Sequence, residues 1–243
     1  MIIGLTGLYC AGKNHVSLLL ERHGLPVLDI DRLGHEIIEA ETEKITGHFG
    51  KEILDPNGVI NRKLLGKIVF GKPEQLAVLE SIVHPGVNRL TEEWITGRKL
   101  GKISGQETGT CVINAALLHK SSVINKLNVI IVVCAPFYLR FFRALRRDKR
   151  PPWELINQLL SQKDFPHYRK TAGRAEKTSK TAENPAQLFF PEADIYTIQN
   201  SGFSGSPRML EKQIEAILEG FHNGKEKIIV DCSFSGSSSG NHI

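Results

Sequence analysis

The chain has 243 residues, 41% of them hydrophobic, with 31 basic and 26 acidic side chains and a formal net charge of +5. That length and apolar fraction suffice for a buried core. No apolar run approaches the roughly 20 residues of a membrane span, and no signal peptide precedes the first apolar run, so a cytoplasmic protein with no membrane partner is expected.

Met1-Ile-Ile-Gly-Leu is an apolar run of the length of a buried parallel strand, and Gly7 to Lys13 follows it. The segment fits a phosphate-binding loop up to its last position, where Asn14 stands instead of Ser or Thr. In such a loop the backbone N–H groups curl around phosphates, the glycines allow unusual dihedrals, and the lysine reaches the β- and γ-phosphates. Val16, Leu19 and Leu20 fall at helical spacing until His23-Gly24 stops the helix, whose positive end faces the same anion. Of the four cysteines, Cys10, Cys111, Cys134 and Cys232, none has metal-type spacing. Only Cys10 stands out, because a thiol near a helix N-terminus is expected to have a lowered pKa.

Val27 to Ile30 reads as a second strand, and Asp29 and Asp31 alternate along it, on one face at the edge where ligands bind. A carboxylate there can accept the proton of an attacking hydroxyl or help hold Mg²⁺ through water. A lesser reading of Asp31 is that it caps a helix starting at Arg32. About eighty residues without a strand follow, so an inserted helical region is expected. Helical spacing recurs in Leu33-Ile37-Ile38, Leu64-Leu65-Ile68-Val69 and Val87-Leu90-Trp94, with a turn at Asp55-Pro-Asn-Gly, Asn61 as N-cap, and His84-Pro85 between two helices.

Cys111–Ala115, Val129–Cys134 and Ile195–Gln199 complete five predicted strands. Alternation with helices implies a doubly wound α/β core with ligands at the carboxyl ends of the strands. Phe137 to Asp148 reads as a basic helix carrying Arg143, Arg146 and Arg147. Arg143 and Arg147 are four residues apart and on one face. Pro151-Pro-Trp-Glu opens a further helix to about Gln162, and 169–185 lacks apolar periodicity. The basic residues cluster in Arg140–Arg150 and Arg169–Lys180 without interleaved aromatics. They fit clamps on a nucleoside triphosphate at least as well as a nucleic-acid-binding face, and no nucleic-acid partner is expected. Ser233 to Ile243 reads as a flexible tail.

Together these pieces resemble the dephospho-coenzyme A kinase family. The resemblance runs from Met1 to about Gly220 and rests on several segments in shared order. They are Ile3-Gly-Leu-Thr-Gly with its loop, Asp29-Ile-Asp-Arg-Leu, Gly58-Val-Ile-Asn-Arg, Val69-Phe70, His84-Pro85, Arg143-Ala-Leu-Arg-Arg-Asp148, Gln162, Ala193-Asp194, and Asn200-Ser-Gly202. It implies a P-loop kinase fold in three parts. Residues 1–31, 108–139 and 193–222 form the nucleotide-binding core, 32–107 a helical substrate domain, 140–192 a lid, and 223–243 a flexible tail.

The activity the family implies is transfer of a phosphoryl group from ATP, with Mg²⁺, to the ribose 3′-hydroxyl of dephospho-CoA. Lys13, Asp31 and Arg143 would be catalytic, with Asp31 the base. Gly7, Cys10, Ala11, Gly12, Lys13, Asn14, His15, Arg143, Arg147 and Asn200 would surround ATP, Asn200 near the adenine. Asp31, Arg62 and His84 would meet the acceptor, and Asn14 would stand at the metal. The chain departs from the family pattern at Asn14 and His15, and at Asn114 and Lys120, which replace two carboxylates. The stretch from Thr171 to Gln187 is also longer than the family's lid. Two alternatives therefore stand beside an active enzyme: a nucleotide- or CoA-binding relative with impaired catalysis, and a nucleoside or nucleotide kinase.

Overall fold

In the computed structural model, residues 1–99, 109–118, 121–162, 193–200 and 206–222 are described. Five strands, β1 (Ile2–Gly7), β2 (Val27–Asp29), β3 (Cys111–Asn114), β4 (Val129–Cys134) and β5 (Asp194–Gln199), form one sheet in the order β2-β3-β1-β4-β5. All four pairings are parallel. Both faces of such a sheet are covered, which is why the strands read as continuous apolar runs rather than alternating ones.

Alternate residues of the central strands feed two cores. Ile3, Leu5, Val129, Ile131 and Val133 pack on one side with α1 (Lys13–Arg22) and α8 (Ser206–His222). Ile2, Cys111, Ile113, Ile130 and Val132 pack on the other side with Leu118, Val123 and Ile95. Because order reverses around β1, the loop leaving its carboxyl end opens at the position where sheets of this type bind ligands.

Between β2 and β3 run α2 (Ile30–Ala40), α3 (Thr42–Phe49), α4 (Arg62–Val69) and α5 (Pro73–Lys99). They enclose a third core that includes Leu33, Ile37, Ile45, Phe49, Leu65 and Val87. Asn61 caps α4 as expected, its side chain accepting from the N–H groups of Lys63 and Leu64. Two contacts tie α5 back to the segment after β3: Lys126 Nζ lies 2.5 Å from Glu92, and the Ser122 hydroxyl donates to Asn88 at 2.8 Å.

Two expectations are corrected. His84-Pro85 does not separate two helices, because α5 is a single helix of 27 residues with Pro85 inside it. Pro removes one ladder hydrogen bond there, but Val83 and Val87 on either side are both buried, and a Cβ on Gly86 would lie 3.0 Å from Ile37. Packing against α2 thus carries the helix through the break. The second correction concerns β2, which ends at Asp29. Ile30 and Asp31 already belong to α2, and the Asp29 carboxylate accepts the Arg32 N–H at 3.0 Å. The cap is Asp29, and the two aspartates do not alternate along a strand.

After β4, α6 (Phe137–Arg147) and α7 (Pro152–Ser161) pack on each other, close to the predicted spans. Among the described residues no helix is long and apolar enough to cross a membrane.

Candidate active site

The loop between β1 and α1 is held open by its own backbone. Cys10 has φ +59° and Gly12 φ +98°, a left-handed conformation that a residue with a Cβ adopts only at a cost. At Gly12 a Cβ would run into the Asn200 amide, and at Gly7 it would lie 2.6 Å from the Val133 carbonyl oxygen. Both glycines are therefore required by close approach. The Ala11 N–H folds back on the Leu8 carbonyl at 2.9 Å, whereas the N–H groups of Gly12, Lys13 and Asn14 donate to no described protein group. That leaves three donors at the head of a helix, the arrangement that binds an anion.

Lys13 opens α1 and turns back beneath the loop. Its ammonium lies 2.9 Å from Asp31 Oδ2 and 2.6 Å from Asn114 Oδ1. Asn114 Nδ2 donates to Asp29 Oδ2 at 3.1 Å, and the Ala116 N–H donates to both oxygens of Asp31 at 3.1 and 3.2 Å. Sheet register assembles this set, since Asn114 is level with Leu5 of β1 on one side and with Asp29 of β2 on the other. A chain of contacts results, Asp29–Asn114–Lys13–Asp31, in which the ammonium is paired with one carboxylate and the other carboxylate accepts from neutral donors.

From the opposite side, α6 presents arginines. Arg143 donates to the Ala11 carbonyl at 3.2 Å, more weakly to that of Cys10, and to Asn200 Oδ1 at 3.1 Å. The other end of the Asn200 amide donates to the Ala11 carbonyl at 2.9 Å. Asn200 is thus a buried brace that pins the loop to the end of β5. Arg147 lies 4.8 Å above the Tyr9 ring and pairs with Asp148 at 2.9 Å. The Tyr9 hydroxyl also meets Asp148 and accepts from Arg150, and the Tyr9 N–H donates to Gln162 at 2.8 Å.

Nearer the sheet, Arg140 is buried, with Nε and Nη1 unpaired, and burial lowers its pKa. The expectation for Cys10 is reversed. Burial pushes its thiol pKa up, and that outweighs the lowering by Arg147, Arg143, Arg140 and Arg150.

Asn14 and Asp29 line one cavity of 550 Å³ between α1, the end of β2 and α2, together with Arg32 and Glu36. His15 is exposed one position further along α1. Asn14 and Asp29 supply hard oxygen donors, which suit Mg²⁺, a cation that takes one or two protein ligands and completes its shell with phosphate and water. Among the described residues no cluster of three or more His, Cys, Asp or Glu is placed to hold a metal.

Arg62 and His84 sit exposed on α4 and α5, and neither bonds to Lys13 or Asp31. His119, Lys120, Ser201, Gly202, the 171–187 stretch and the tail lie outside the described residues. The sequence reading missed the Tyr9 clamp and the Lys13–Asn114 bond. Asn114 carried one signal, a polar residue inside the apolar run Cys111–Ala115; Tyr9 carried none.

A mononucleotide-binding parallel sheet, a phosphate loop with free amides, a loop lysine against a carboxylate, and arginines closing from above together define a P-loop kinase. A family model described as dephospho-CoA kinase matches residues 1–174. A dephospho-CoA kinase of Halalkalibacterium halodurans is 31% identical over 75% of this chain and 90% of its own. One of Fusobacterium nucleatum is 33% identical over 77% and 91%. A solved Thermus thermophilus protein is 26% identical with TM-score 0.64, covering 90% of this chain and 96% of its own. A solved dephospho-CoA kinase from Campylobacter jejuni, 22% identical with TM-score 0.53 over 90% and 96%, shares the fold. The chain belongs to the dephospho-CoA kinase family.

Proposed function

We propose that the protein transfers the γ-phosphoryl group of ATP to the ribose 3′-hydroxyl of dephospho-CoA, giving coenzyme A and ADP, in the cytoplasm. The observation that carries the assignment of roles is the 2.9 Å approach of Lys13 to Asp31. It brings the group that reaches donor phosphates and the group that can take the acceptor's proton to one point. In this reading the free amides of Gly12, Lys13 and Asn14 cradle the phosphates. Lys13, Arg143 and Arg147 then balance the charge that spreads over the transferring group.

Asp31 accepts the proton of the 3′-hydroxyl as the new O–P bond forms and the bond to the β–γ bridging oxygen breaks, ADP leaving with that oxygen. Its Ala116 N–H contacts fix the carboxylate in place, so the gain is one of positioning. Asn14 and Asp29 would hold Mg²⁺, which when bound neutralises phosphate charge. Residues 32–107, with Arg62 and His84, would form the acceptor-binding unit, and 140–192 the lid.

ADP release is the direct test, measured with dephospho-CoA and, separately, with nucleosides and nucleoside monophosphates. Turnover confined to dephospho-CoA is expected, and turnover only with a nucleoside would sink the reading. Binding without turnover at any Mg²⁺ concentration would identify a catalytically silent relative. Asp31→Asn should lower kcat by about 10²–10⁴ if the carboxylate is the base; unchanged kcat would reduce it to a helix residue.

A further inference from the structure

Tyr9, within the phosphate loop, is held by α6, α7 and the turn between them through its ring, its hydroxyl and its backbone N–H. Arg147 lies 4.8 Å above the ring. The hydroxyl meets Asp148 and accepts from Arg150 at 3.0 Å, and the N–H donates at 2.8 Å to Gln162, the C-cap of α7. Those three hydrogen-bond partners stand 139, 141 and 153 positions away along the chain. The contacts are therefore a product of the fold and not of local loop geometry.

The carboxylate that meets Tyr9 also holds Arg147, accepting from Nε at 2.9 Å and from Nη2 at 3.2 Å. A two-point pair fixes the guanidinium within its own plane, and the aromatic ring blocks its movement out of that plane. Nη1 bonds to no described protein group, and the side chain is 58% exposed. One turn earlier on the same helix, Arg143 donates to the Ala11 carbonyl at 3.2 Å, so this face of α6 runs along the loop. An exposed arginine without such restraints samples many rotamers, and ordering it when an anion binds costs affinity.

We propose that Tyr9 is a positioning residue for Arg147. Its ring, together with Asp148, holds the guanidinium over the phosphate loop with the Nη1 edge directed to the nucleotide's phosphates. Rotamer freedom of the arginine is then lost on folding rather than on binding. The inference rests on the role given to Arg147 above and is independent of the acceptor.

A double-mutant cycle read by calorimetry tests this, with a non-hydrolysable ATP analogue and Mg²⁺ titrated into the full chain. Tyr9→Leu should raise the analogue's Kd about fivefold, the size of a lost cation–π contact. Arg147→Ala should raise it by at least as much. Adding Tyr9→Leu to Arg147→Ala should change Kd by less than about twofold, because the group through which Tyr9 acts is already gone. A loop merely loosened by Tyr9→Leu would weaken binding by the same factor in both backgrounds, and equal factors would overturn the positioning role. So would a Tyr9→Leu Kd equal to that of the parent.

Arg147→Lys leaves the loop untouched and decides the matter even where Tyr9→Leu fails to fold by circular dichroism. Lysine keeps the charge but lacks the planar fork that pairs at two points and stacks on the ring. Its Kd should stay about fivefold or more above that of the parent, and a Kd equal to the parent's would show that charge without orientation suffices, which would overturn the inference. Parent-like binding by Arg147→Ala would instead remove Arg147 from the phosphates, so that the role assigned to it above fails and the inference falls with it.

Discussion

Lys13 and Asp31 are eighteen positions apart, Lys13 and Asn114 one hundred and one. The first pair could be suspected from sequence because each residue carries its own motif, a loop lysine and an acidic strand end. The second could not, since only the register of β1, β2 and β3 brings Asn114 level with both partners. Asn14 belongs at this scale too. If its amide serves Mg²⁺ beside Asp29, Asn14→Thr should change the apparent Mg²⁺ affinity in steady-state titrations. An unaltered Mg²⁺ dependence would mean that phosphates and water alone hold the ion. Cys10 gives a sign that can be worked out directly. Because burial raises its pKa, the thiolate is scarcer near neutral pH than in a free cysteine. Alkylation by iodoacetamide at pH 7 should therefore be slower at Cys10 than in an unstructured peptide, and faster alkylation would contradict the burial argument.

Strands and helices were legible from the sequence where one physical rule dominates. Parallel strands buried on both faces read as apolar runs, and Asn61 read as a cap because its side chain has a local job. Reading failed where the element was too short for its period or where packing overrode propensity. β2 has three residues, too few for alternation to place Asp31, and the helix began as soon as Asp29 could cap it. α3 has only Ile45 and Phe49 buried, a stripe too brief to stand out, and Pro85 looked like a boundary although α5 runs through it. Two stability measurements address these elements. Asn61→Ala should cost about 1 kcal/mol through the lost α4 cap, seen as a lower denaturant midpoint at constant slope. Pro85→Ala should not destabilise the protein, because it restores a helical donor without removing a buried side chain. A fall in Tm would show that Pro85 contributes more than a tolerated interruption.

At the scale of the whole molecule, the sheet brings three separately built pieces to one edge: the loop after β1, the capped turn after β2, and the arginine-bearing α6 after β4. Phosphoryl transfer needs little covalent chemistry from a protein, so a scaffold that supplies donors, a proton acceptor and closing charges at one point has most of what the reaction requires. The inserted helices have a core of their own and remain tied to the main sheet through α5, which suits a unit that presents a second substrate to a fixed loop. The departures at Asn14 and Asn114 leave Asp31 and the loop lysine Lys13 in contact. The central claim is therefore an active enzyme that modifies one particular hydroxyl. Incubating the protein with ATP, Mg²⁺ and dephospho-CoA and locating the new phosphate by phosphorus and proton nuclear magnetic resonance tests it most directly. A single product phosphorylated at the ribose 3′ position is expected, with one ADP formed for each. Phosphate at another position, or ADP formed with no phosphorylated acceptor, would contradict it.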